Sequence, residues 1–236
     1  MRSESSRVPL VVHLAAGTAV ALAICAGVIT AGLFPQNGDW GPAWIGLTLL
    51  YGAGAVALWQ RRPWAREFML GVAGWGLCAW IDAVAVLGFS SLTVSATVGH
   101  ALMVGLAALV PASLSRRHSW SLLLASAALP CGIAFGLAPE QSLGMASAML
   151  GGTGLLLVGA IGLARGRTWG LLTQLAGAPL VAFAAFYAPR IAWLEASHPM
   201  LPDNGILLSF VGMCAAALAL ASFVPFAGPV VRHLRR

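Results

Sequence analysis

Of the 236 residues, 59% are hydrophobic and only 8% charged, against about 25% charged in soluble domains, and the mean hydropathy is +0.88. This excludes a soluble globular chain and predicts an all-α integral membrane protein. The net charge of +6 comes from arginines alone, in the termini and in short connections between apolar runs, so it reads as topology and lipid contact, with no nucleic acid as partner.

About 20 apolar residues cross the hydrocarbon core as a helix. Eight such runs are expected, at 8–33, 42–60, 67–89, 92–114, 120–137, 143–164, 169–188 and 205–226. They are too long and continuous for barrel strands, and backbone groups at that depth must be satisfied within the segment. The first run is longer than the apolar core of a signal peptide and is expected to be a span.

The arginines set the orientation. With eight spans, all but Arg190 of the thirteen fall on one side, which places both termini in the cytoplasm of a cell membrane, a bacterial inner membrane. Arg61 and Arg62 with Trp64, and Arg165 and Arg167 with Trp169, form RxW turns on that side. Their expected role is contact with anionic lipid headgroups, the tryptophans anchoring at the interface.

These two turns also carry an internal duplication. The segment beginning at Gly54 aligns with that beginning at Gly159 at a shift of 105, with Gly54/Gly159, Ala55/Ala160, Leu58/Leu163, Arg62/Arg167, Trp64/Trp169, Leu70/Leu175 and Ala73/Ala178 identical. The last spans align by their ends, Pro111 with Pro225. Four spans per unit give two parallel-repeat four-helix units, at 1–117 and 118–236, with no soluble domain. The 28 glycines supply the close helix approaches that packing in lipid requires.

Polar residues within the runs are few. Asp82, in the third run, and His100, in the fourth, are each nine residues from the turn at Ser91. A helical hairpin therefore puts them at one depth, in the outer leaflet. Thr93, Thr97 and His100 follow at helical spacing and form a polar stripe expected to face Asp82. By the duplication Tyr187 stands opposite Asp82, and Arg190, one turn on, is placed to reach toward it. The expected substrate or proton site is thus Asp82, His100, Thr97, Arg190 and Tyr187. Between the seventh and eighth runs, the stretch IAWLEA is expected to lie as a short interfacial helix.

The four cysteines lie in apolar runs without CxxC spacing, and no metal site is expected. No cofactor is expected either. There is no lysine for a retinal Schiff base, no CxxCH and no GxSxG, HExxH or phosphate-loop motif, so the reading leans away from an enzyme. The reading is a small transporter or permease. The alternatives are a non-catalytic membrane subunit or assembly factor, and a membrane enzyme acting on a lipid. Expected partners are the anionic bilayer surface and a further membrane protein or second copy.

Overall fold

The computed structural model describes residues 10–33, 41–137, 143–195, 204–226 and 228. These form eight helices: α1 (Leu10–Leu33), α2 (Gly41–Trp59), α3 (Ala65–Leu87), α4 (Ser91–Leu109), α5 (Arg116–Gly136), α6 (Leu143–Ala164), α7 (Trp169–Glu195) and α8 (Asn204–Ala221). The first seven contain stretches long and apolar enough to cross a bilayer, and the apolar stretch at α8, Phe210–Phe226, is shorter. Large apolar side chains face outward along the helices, among them Ile24, Leu49, Val98, Leu172, Phe186 and Phe210. Water would penalise such a surface and hydrocarbon does not. The chain is a polytopic helical membrane protein.

The helices end where the residues dictate. α3 stops at Gly88, whose φ of 79° lies in the left-handed region. α4 starts from a capping box, in which Thr93 N donates to Ser90 Oγ at 3.1 Å and Ser90 N to Thr93 Oγ1 at 2.9 Å. The connections α2–α3 and α6–α7 have the same backbone pattern. Arg61 N donates to Leu58 O and Arg62 N to Ala57 O; 105 residues on, Gly166 N donates to Leu163 O and Arg167 N to Gly162 O. Both are Schellman turns, and the residue in the left-handed conformation is Arg61 (φ 52°) in one and Gly166 (φ 71°) in the other.

Contacts among the described residues follow a simple plan. α1 to α4 pack in a ring, each against its neighbours, and α5 to α8 pack in a second ring; α5 joins the two by packing on α3 and, less extensively, on α2. α5 is the central helix, with 67% of its span buried against at most 39% for any other. Its Leu129 and Ile133 belong to the core of the first ring, while Leu122, Ala125, Cys131 and Phe135 belong to that of the second.

The rings differ at one interface. α6 and α7 share the most extensive contact in the molecule, whereas α2 and α3 touch only slightly. Glycines account for this. A Cβ on Gly159 would meet Gly170 O at 2.6 Å, and one on Gly177 would meet Gly152 O at 2.6 Å, so the two backbones of α6 and α7 are in contact at two levels. The positions 105 residues earlier hold Leu47, Ala65 and Val72, and residues with side chains do not allow so close a backbone approach. Ile133 of α5 lies against Gly46 at this opening.

Four boundaries depart from the sequence expectation by four residues or more: α4 ends at Leu109 and α8 at Ala221, each five residues before the expected end, and the start of α5 and the end of α7 differ as well. α5 begins four residues early, because Arg116 and Arg117 sit exposed on its first turn outside the apolar run. α7 continues as one helix to Glu195, so IAWLEA is the end of that helix as far as Glu195 and not a separate element; Pro189 removes one donor without ending the helix.

Candidate functional site

His100 lies nine residues into α4, about 13 Å along the helix axis from its start. Its side chain is buried, and Nδ1 is 2.7 Å from Ala96 O, one turn back. A carbonyl oxygen only accepts, so Nδ1 carries the hydrogen and Nε2 is left as an acceptor. The ring stands edge-on to Tyr51 of α2, with centroids 5.6 Å apart, and tilted against Trp80 of α3 at 6.5 Å; Trp80 in turn lies 6.4 Å from Trp44. Gly76 of α3 makes the space. A Cβ there would lie against His100 Cδ2, 2.5 Å from Nε2 and 2.8 Å from Tyr51 Oη.

Two polar tips therefore converge on one point. By those two distances they are no more than about 5.3 Å apart, and no hydrogen bond joins them directly among the described residues. A donor such as water, an ammonium group or a hydroxyl placed between them would give a hydrogen bond to Nε2 and exchange one with Tyr51 Oη. Trp80 and Trp44 complete the aromatic surround of this polar pair.

The structure does not bring Asp82 to His100. Asp82 is exposed, and among the described residues it forms no ion pair or hydrogen bond with His100. Depth and direction are separate variables on a helix. Gly76 and Trp80, one turn apart, share the face toward His100, and Asp82, two residues beyond Trp80, is rotated about 200° from it. Thr97 Oγ1 donates to Thr93 O at 2.7 Å and Thr93 Oγ1 to Gly88 O at 3.0 Å, so both hydroxyls are used within the hairpin. The side chains of Tyr187 and Arg190, in the last turns of α7, lie outside the described residues.

A second polar focus lies at the α3–α5 seam. Glu67 is fully buried; its Oε1 accepts from Arg66 Nη1 at 3.0 Å and from Ser119 Oγ at 2.8 Å, and Oε2 has no partner among the described residues. Burying a carboxylate is expensive, and the two charge-assisted donors offset part of that cost. Across α5, Gln174 Nε2 donates to Ser121 Oγ at 3.2 Å, both side chains being buried. From sequence, Glu67 reads as the polar edge of an apolar run. Its position beside Arg66 and the presence of only two tyrosines in the chain were the signals available for Glu67 and Tyr51.

Arg61, Arg62, Arg165 and Arg167 are exposed, but the two tryptophans differ. Trp169 is half exposed and packs on Gly162. Trp64 is largely enclosed, edge-on to Phe68 and in contact with both cores, and its Nε1 has no acceptor among the described residues. Comparison with family models, with curated proteins and with solved structures gives no match.

Proposed function

We propose that this chain is a small permease of eight spans, with its arginine-rich face and both termini in the cytoplasm, that passes a proton or a small hydrogen-bonding cation through the Tyr51–His100 nest. The observation that carries the reading is the convergence of His100 Nε2 and Tyr51 Oη over Gly76, at the interface where α2 and α3 touch only slightly. A protonatable ring inside a span is costly unless it is used or paired.

The proposed duplication sharpens this. It is supported by the matching Schellman turns at Arg61 and Gly166, and by a shared contact: Gly54 packs on Met69 and Gly159 on Gln174, each pair 105 residues from the other. Under that alignment Tyr51, Gly76 and His100 correspond to Leu156, Val181 and Cys214. A four-helix ring of this design thus folds without the polar nest, and the nest belongs to the working half.

The test is flux. Purified protein in sealed vesicles, with an entrapped pH dye and an imposed potential, is expected to conduct protons or take up methylammonium faster than empty vesicles. His100→Gln and Tyr51→Phe are expected to return the rate to that of empty vesicles. Native and variant proteins indistinguishable from empty vesicles in both assays refute the proposal.

A second reading, a subunit of a larger membrane complex, is favoured by Asp82. It is an exposed acid in the apolar stretch of α3 that follows Glu67, where a basic group on a partner would stabilise it. Loss of a stoichiometric partner on Asp82→Asn, after extraction in mild detergent, would support this reading; a chain purifying alone in native form counts against it.

A further inference from the structure

Arg61 occupies a backbone conformation that disfavours every residue except glycine, and in the sister turn the same place is held by Gly166. The turn geometry therefore gains nothing from an arginine there, and the side chain is what remains to explain it. Ser113 Oγ donates to Pro63 O at 2.8 Å, which fastens the α4–α5 link to the α2–α3 turn. The link runs directly into Arg116 and Arg117, so these stand at the same corner as Arg61, Arg62 and Arg66. The acid at this corner is Glu67, buried beneath it and already engaged by Arg66.

The corner also holds donors with no acceptor. Trp64 Nε1 and Arg66 Nε are both enclosed and unpartnered among the described residues. α5 starts here without a side-chain cap, because Ser115 Oγ engages His118 Nδ1 instead. The exposed guanidinium groups of Arg61, Arg62, Arg116 and Arg117, with the uncapped first turn of α5, form a set that takes oxygens of a phosphate-bearing anion. Trp59, Leu109 and Trp120 lie exposed around the corner at the ends of α2 and α4 and the start of α5. Their apolar surface fits an acyl chain and has no use for a free phosphate.

We infer that the corner formed by Arg61, Arg62, Arg66, Arg116 and Arg117 around Trp64 is a specific binding site for the phosphate headgroup of an anionic phospholipid, and that the sister turn at Arg165 to Arg167 is not. The inference rests on the membrane reading and is independent of the permease proposal.

The experiment uses the whole chain in neutral detergent at fixed ionic strength, with bound lipid counted by native mass spectrometry. The probes are phosphatidylglycerol, phosphatidylcholine and inorganic phosphate. Arg61→Gly with Arg116→Gln removes two charges and leaves the left-handed turn with its preferred residue; Arg165→Gln with Arg167→Gln removes two charges at the sister turn. Saturable binding of phosphatidylglycerol over phosphatidylcholine is expected, weakened about tenfold or more by the first pair and less than about twofold by the second. Equal weakening by both pairs, or unchanged binding in the first, overturns the inference. So does competition by inorganic phosphate at the lipid's own concentration. Insertion of each variant into vesicles is measured separately, so that a lost lipid site and a failed membrane reading give different results.

Discussion

Replacing Gly159 by alanine tests the account of why the two rings differ. The new Cβ would sit 2.6 Å from Gly170 O and 2.7 Å from Gln174 N, both backbone atoms of α7, whereas ordinary contact begins at 3.4 Å. The helices would have to part by about 0.8 Å at that level, which loosens the Gly152–Gly177 contact one heptad away and strains the bond from Gln174 to Ser121. Overpacking of this kind costs about 1–3 kcal/mol, and the better helix propensity of alanine returns about 0.5–1. Gly54→Ala is the matched control, since its new methyl would meet chiefly the Met69 side chain, a flexible thioether that can swing aside. Gly159→Ala is expected to be less stable than Gly54→Ala by about 1–2 kcal/mol. Equilibrium unfolding in mixed detergent micelles, followed by circular dichroism, measures the difference. If Gly159→Ala is as stable as Gly54→Ala, the α6–α7 backbone contact does not set the asymmetry.

Ser119→Ala removes a donor from a buried carboxylate and is expected to cost about 1.5–3 kcal/mol; the cost should shrink in a Glu67→Gln background, a coupling that a double-mutant cycle in the same unfolding assay detects. Gly76→Ala pushes His100 and Tyr51 apart, so proton or methylammonium flux should fall along with about 1–3 kcal/mol of stability, and an unchanged flux would separate the nest from transport. Thr97→Val is expected to change neither flux nor stability by more than about 0.5 kcal/mol, because its hydroxyl is spent on Thr93 O. Asp82→Asn should likewise leave the unfolding midpoint in place, since the carboxylate is exposed with no ion pair among the described residues.

The helical class and the approximate span positions were legible because a bilayer leaves an apolar run of 20 residues no other solution. The turns were legible too: the shared RxW pattern coincides with two Schellman turns of the same hydrogen bonding. Sequence failed on direction. Counting residues from the Ser91 turn gives depth, but it does not say toward which neighbour a side chain points, and a span that is apolar on all sides carries no stripe to tell. His100 lies against Gly76 and Trp80 of α3 and not against Asp82, so the counted pairing did not find the neighbours of the ring. Glu67 was missed for a related reason. At the end of an apolar run an acid reads as headgroup-facing, and only the approach of α5 with Ser119 reveals that it is enclosed.

Because α5 lends Leu129 and Ile133 to the core built by the four helices before it, those four remain unfinished until the fifth arrives. During synthesis, the bundle emerging first would sit in the membrane with Gly46 and Gly71 uncovered, holding a groove open for a helix still inside the ribosome or translocon. A chain truncated after Leu109 should therefore be recognised by membrane quality control as an intermediate, and co-expression of the missing half, beginning at Arg116, should rescue it.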